Sequence, residues 1–164
     1  MLMVERIDPR APGGVKRRKA MSEENKALAR RWFEELFNAQ NLDVADEITA
    51  QDSVNHDPLL TGLPSGPEGS KHVVNLYHGA FPDAQITVED AIAEGDKVVT
   101  RWTGRGTHQG EFMGVAPSGN RVEVAGITIN RVSGGKIAET WNIYDALGMM
   151  QQIGAMPSPG GVQG

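Results

Sequence analysis

The last β-like run of the chain, Lys136 to Tyr144, ends in the residues best suited to acid–base chemistry. Trp141, Ile143 and Asp145 alternate onto one face, and Asn142 and Tyr144 onto the other, because side chains of a strand point alternately to opposite sides. If the Trp141 face turns inward, Asp145 stands in or at the mouth of an apolar cavity as a general acid/base. The same residue also precedes Ala146 to Ile153, where it would cap a short closing helix. Both roles follow from the pattern.

Histidine is the other source of proton chemistry. His56 lies in Asn55-His56-Asp57-Pro58, a short strand or turn after the first helices, and His108 ends a long strand. Both are candidate donors or relays beside Asp145, with His108 equally suited to bonding a loop backbone. His72 and His78, six residues apart on one predicted helix, do not share a face and read as surface residues. No tight His/Asp/Glu spacing marks a metal site, although His56, His108 and Asp145 could still meet in space. With no cysteine in the chain, thiol nucleophiles, thiolate metal sites and disulfides are excluded. No serine-nucleophile elbow, P-loop or dinucleotide fingerprint occurs.

The elements that must position these groups divide into helices first and strands afterwards. Leu28, Trp32, Phe33, Leu36 and Phe37 recur at helical spacing and predict a helix over 22–39, with Ser22 as its N-cap. Shorter helices are predicted over 43–48 and 68–80, the latter carrying Val73, Leu76, Tyr77 and Ala80 on one face. Strands follow over 85–93, 97–107, 121–132 and 136–144, joined by Glu94-Gly95-Asp96, the glycine-flanked loop 110–119 and Ser133-Gly134-Gly135. Gly104 and Gly106 within a strand suit a sharply bent sheet. This order is α+β rather than the alternation of a parallel sheet. Residues 1–20 are expected to be a disordered basic leader, 21–156 a single domain and 157–164 a flexible tail.

The chain has 164 residues and a formal charge of −5. Residues 1–20 carry +4, which leaves −9 on the remainder and argues against nucleic acid as the partner. Neither a membrane-spanning apolar run nor a secretory signal is present, and a cytoplasmic location without membrane attachment is expected.

The ordered set Ala80-Phe81-Pro82-Asp83, Glu94-Gly95-Asp96-Lys97-Val98-Val99, Gly106-Thr107-His108-Gln109-Gly110-Glu111-Phe112-Met113-Gly114, Gly134-Gly135-Lys136-Ile137-Ala138-Glu139-Thr140-Trp141, Asp145 and Gln152-Ile153-Gly154 resembles the SnoaL-like ester cyclases of the NTF2-like superfamily over about 22–154. The resemblance implies a cone-shaped α+β barrel, with a curved antiparallel sheet of four to six strands packed on three N-terminal helices. It also implies a homodimer or homotetramer. The activity implied is intramolecular aldol closure of a hydrophobic carbonyl substrate, with no metal or organic cofactor. An isomerase, an epoxide hydrolase or a non-catalytic small-molecule binder on the same scaffold are the alternatives. The family's acid/base aspartate on the last strand matches Asp145, and a polar residue at the pocket entrance matches Asn55 or His56. Trp102, Phe112, Trp141 and Tyr77 complete the expected substrate lining. The family's Gln/His pair on the preceding strand has no histidine counterpart here; only Thr128, Asn130 or Arg131 stand in its place. An aspartate is too acidic in water, at ~3.9. Raising it to about 6 requires roughly 3 kcal/mol of destabilisation of its anion, which desolvation beside Trp141 and Trp102 would supply.

Overall fold

The computed structural model describes residues 12–160. Helix α1 spans Pro12–Arg31 and continues without a break into a π-helical turn, Trp32–Asn38. Ser22 therefore lies inside a helix and does not cap one. The leader expected over 1–20 is helical from Pro12 onward, and residues 1–11 lie outside the described residues. Proline suits a first helical position, and Val15 to Met21 contain no helix breaker. This first stretch is mostly exposed, so propensity rather than burial accounts for it. Downstream, Ala29, Phe33, Leu36 and Phe37 are buried and anchor the helix to the core.

Helix α2 (Asp43–Ile48) leads into strand β1 (Thr49–His56), and α3 (Pro67–Ala80) follows the turn-rich loop after it. Strands β2 (Gln85–Glu94), β3 (Lys97–Thr107), β4 (Arg121–Ser133) and β5 (Lys136–Tyr144) come next, and α4 (Ala146–Gln152) closes the fold. Strand β1 is longer than the short strand or turn expected around Asn55 to Pro58, and the other bounds lie within two residues of those read from the sequence.

The five strands form one sheet in the order β1-β5-β4-β3-β2. The sheet is mixed rather than wholly antiparallel, because β1 runs parallel to β5, with Asn55 opposite Thr140 and His56 opposite Trp141. Every other pair is antiparallel. Register shifts fall between Val88 and Asp90 and between Arg131 and Val132. Such bulges increase local bend and twist, and they curl the sheet around the helices in an α+β cone.

Edge strand β2 is held by Asn38, whose amide accepts from Ile86 N–H and donates to Ile86 C=O, both at 2.8 Å. One side chain thereby stands in for a missing neighbour strand. Gln152 treats Glu123 of β4 the same way, accepting from its N–H at 2.8 Å and donating to its C=O at 3.0 Å. Asp83 ties the α3–β2 turn to the end of β3 by accepting from both N–H and Oγ1 of Thr107. The described helices include none long and apolar enough to cross a membrane.

Candidate active site

The concave face of the sheet carries three rows of inward side chains. Asn55, Thr140 and Asn130 lie side by side across β1, β5 and β4. One pleat further along β5 are Asn142, Thr128 and Thr100, and beyond those Tyr144, Gly126 and Trp102. With Trp32, Phe33, Phe37 and Val73 from the helices, the cavity-lining members of these rows enclose a recess of about 1130 Å³, its open mouth included.

Gly126 makes room for the floor. A Cβ there would stand 2.6 Å from Cε2 of the Trp102 indole, which lies across it. Trp102 Nε1 donates to Thr128 Oγ1 at 2.9 Å, and Thr128 Oγ1 donates to Asn142 Oδ1 at 2.7 Å. The direction of this chain is forced. An indole N–H only donates, so the Thr128 proton is the one passed on, and Asn142 must present its oxygen to receive it. The Asn142 Nδ2 group makes no hydrogen bond among the described residues and is left as a donor beside the cavity.

Asp57 is the sole carboxylate lining the recess among the described residues. Its Oδ1 accepts from Leu59 N–H at 2.9 Å, Leu60 N–H at 3.1 Å and Tyr144 O–H at 3.1 Å. Its Oδ2 accepts nothing among the described residues. Tyr144 spends its proton on Asp57, so Tyr77 donates to Tyr144 across 2.8 Å. Burial pushes the Tyr77 phenol well above its ordinary range. Burial does the same to Tyr144, reinforced by Tyr77 and Asp57. Both phenols therefore stay protonated donors at neutral pH.

Several expected site residues are elsewhere. Asp145 is exposed and caps α4, accepting from Gly148 N–H at 2.8 Å. Trp141 and Ile143 share its outward face, and Ile143 is 71% exposed. The phase inferred for β5 is thus inverted: the cavity takes the polar Thr140, Asn142 and Tyr144, and the convex face takes the apolar pair. His56 is also on the outer face, stacked on Trp141 and paired with Glu139 at 2.9 Å. That contact, with Arg131, holds the Glu139 carboxyl below its ordinary range. His108 is fully buried, but against the 108–120 loop. Its Nδ1 accepts from Ser118 N–H at 3.1 Å, and its ring packs on Phe81. His56, His108 and Asp145 are not brought together, and the described residues contain no cluster of three or more His, Asp or Glu placed to hold a metal. Phe112 is core, packed behind Tyr77 and Phe81. His78, read as a surface residue, is buried with Nε2 on Phe37 C=O at 2.8 Å. Asn55, Trp102 and Tyr77 do line the recess.

Comparison with known proteins agrees with this architecture. The profile of the SnoaL-like polyketide cyclases matches residues 27–153. The chain belongs to this family. Nogalonic acid methyl ester cyclase of Streptomyces nogalater is 27% identical over 119 residues, covering 72% of this chain and 89% of that protein. IdmH of Streptomyces antibioticus, proposed to be a polyketide cyclase, is 36% identical with a TM-score of 0.68, over 79% of this chain and 98% of its own. A structure from Jannaschia Sp. CCS1, proposed to be a SnoaL-like polyketide cyclase, is 28% identical with a TM-score of 0.73, over 92% of this chain and 99% of its own. Membership of the SnoaL-like family supports a cyclase or isomerase type of role.

The sequence reading does not single out Asp57, Tyr144 or Asn142 for the site, and names Thr128 only as a stand-in for the family's Gln/His pair. A signal for Asp57 was present: in a strand, Ser53, Asn55 and Asp57 share one face, and Asn55 was already a candidate.

Proposed function

We propose that the protein is a cofactor-independent cyclase that closes a ring within a hydrophobic carbonyl substrate, with Asp57 as the proton-transfer group. The observation that carries this reading is the carboxylate itself. Asp57 is the sole acid on the cavity wall among the described residues, and three donors fix Oδ1 while Oδ2 is free to react. In an aldol closure, Asp57 Oδ2 takes a proton from the carbon beside one carbonyl. The resulting enolate carbon bonds to a second carbonyl carbon of the same molecule, and the new alkoxide takes the proton back from Asp57. Asn142 Nδ2 is two residues from Tyr144 on the same face, about 7 Å along the strand, and supplies a donor for the enolate oxygen. Tyr77 and Tyr144 hold the Asp57 carboxylate in place. The enzyme then needs shape and one proton shuttle, since the folded substrate provides proximity.

The test is incubation of wild type and Asp57→Asn with nogalonic acid methyl ester, the compound for which the Streptomyces relative is named, followed by mass and NMR analysis. Ring closure by wild type, slowed about 10²–10⁴-fold in the variant, is the expected result. Equal turnover by both proteins would remove Asp57 from the chemistry. Saturable binding without turnover of this ester, or of a panel of polyketide esters, steroid enones and epoxides, would favour a sequestering protein. We further infer a homodimer through the convex sheet face, where Ile143 is 71%, Ile127 45% and Val54 45% exposed on neighbouring strands. Light scattering that gives a monomer mass at high micromolar concentration would count against it.

A further inference from the structure

Three glycines stand on the concave face of β3 and β4: Gly104, Gly106 and Gly126. Packing accounts for two of them. A Cβ on Gly126 would collide with the Trp102 indole, and one on Gly106 would lie 3.0 Å from Phe81 Cβ and 3.4 Å from Ala84 Cα. Gly104 is different. A Cβ there would meet Trp102 Cζ3 at 3.5 Å, Ile86 Cγ1 at 3.8 Å and Val124 O at 3.9 Å, all ordinary contact distances. Its φ lies outside the left-handed region. Strand β3 pairs with β4 without a register shift, and the shift between β2 and β3 falls at Val88 and Asp90, so no bulge at Gly104 calls for a glycine. The backbone atom nearest to that Cβ belongs to Val124, its own ladder partner, so no foreign backbone approaches it either. A glycine inside a strand weakens it, through chain entropy and the lack of a side chain to pack. The fold therefore carries that cost at a position where a side chain would fit, and the position lines the recess.

What the missing side chain leaves is space in the lumen. Ile86, Gly104 and Val124 form an inward row across β2, β3 and β4, one pleat, about 7 Å, beyond the row of Trp102, Gly126 and Tyr144. This row is apolar, unlike the amides and hydroxyls that β1 and β5 contribute at the other end. Arg105, the next residue of β3, is bonded to Glu123 at 2.7 Å on the opposite face. We propose that Gly104 determines ligand specificity: its missing side chain opens an apolar alcove between Trp102, Ile86 and Val124. The alcove admits the unsubstituted ring edge or alkyl end of a ligand whose carbonyl end lies toward Asn142 and Asp57. It rests on the reading of the recess as a chamber for hydrophobic carbonyl compounds, but it sets the length of ligand accepted and not the proton transfer.

The experiment combines a thermal scan with a binding series read by tryptophan quenching, since Trp32 and Trp102 line the recess. Gly104→Ala is expected to raise Tm by about 1–4 °C, because the methyl fits and the unfolded chain loses freedom. A lowered Tm would show that the fold itself requires the glycine and would overturn the proposal. The ligands are 2-acetylnaphthalene and 2-acetylanthracene, aromatic ketones that differ by one fused ring. Wild type is expected to bind the three-ring ketone about tenfold more tightly, because the extra ring is buried in the alcove. Gly104→Leu, which fills the alcove, is expected to weaken the three-ring ketone by about tenfold or more and the two-ring ketone by less than about threefold. Ile86→Phe fills the same space from β2 and should discriminate in the same way. Equal losses on both ketones, no loss on either, or a wild type that shows no preference or binds neither would each overturn the proposal. The wild-type order and the Gly104→Ala scan decide the matter even if the two larger substitutions do not fold. Asp57→Asn separates the alcove from the reaction reading: it is expected to keep the size preference while losing ring closure, so either idea can fail without the other.

Discussion

Thr128→Val is the sharpest probe of the site, because it removes one hydroxyl at nearly constant volume. Thr128 is 5% exposed and is the middle link between Trp102 Nε1 and Asn142 Oδ1. The substitution deletes two hydrogen bonds. It leaves a largely enclosed indole N–H without an acceptor, which costs about 1–3 kcal/mol, and takes the donor from a partly exposed amide, which costs about 1 kcal/mol more. A total of about 2–4 kcal/mol corresponds to a Tm lowered by about 4–16 °C in a domain of this size. The Asn142 amide, no longer held by a donor, can rotate, and a lost oxyanion donor lowers kcat by about 10²–10³-fold. Thr128→Ser restores the hydroxyl and should recover kcat while losing only the methyl packing. The assays are a thermal scan, tryptophan emission and, on a turned-over ester, kcat and KM measured separately. A Thr128→Val protein with wild-type Tm and emission would refute the relay, and a Thr128→Ser protein as slow as the valine variant would refute its role in the chemistry.

Two other outcomes follow from the same bonds. Asp145→Ala removes the Gly148 N–H acceptor at the start of α4 and should lower stability by about 1 kcal/mol while leaving ring closure near wild type; a loss of turnover without loss of stability would return Asp145 to the chemistry. The backbone N–H of Thr107, then its hydroxyl, hold the Asp83 carboxyl below its ordinary range, so its contribution is present above the unfolded value of ~3.9 and is lost as pH falls through the depressed folded value. Because Asp83 is exposed, the contribution is no more than about 1 kcal/mol, and the Tm gap between wild type and Asp83→Asn should close on acidification; a gap independent of pH would show that the bond is not ionic in origin.

The elements themselves were legible in the sequence because their determinants are local. Alternation and turn glycines bounded β2 to β5, and the pairing of Phe33 with Leu36 and Phe37 at helical spacing marked the main helix. The motifs that carry the family resemblance include turn and cap residues that tie elements together or start a helix: Asp83 on Thr107, Gln152 on Glu123, Asp145 on Gly148. The helix begins earlier than the sequence reading placed it, since Ser22 is as compatible with a helix interior as with a cap when the residues before it are also good helix formers.

What the sequence by itself determined about β5 was the membership of its two faces: Trp141, Ile143 and Asp145 on one, Thr140, Asn142 and Tyr144 on the other. Which face turned inward was decided only by the tertiary structure. Apolar side chains usually mark the buried face, but here the concave wall gets its apolar surface from the helices and Trp102, and the strand contributes the polar groups that a ligand would meet. The parallel seating of β1 on β5 was likewise a tertiary decision. It joins Asn55 to Thr140, 85 positions along the chain, and lets Tyr144 reach Asp57. A two-residue period carries no record of the strand beside it or of the layer above it, so the meeting of Asp57 with Tyr144 and Tyr77 came from the closure of the sheet on its helices.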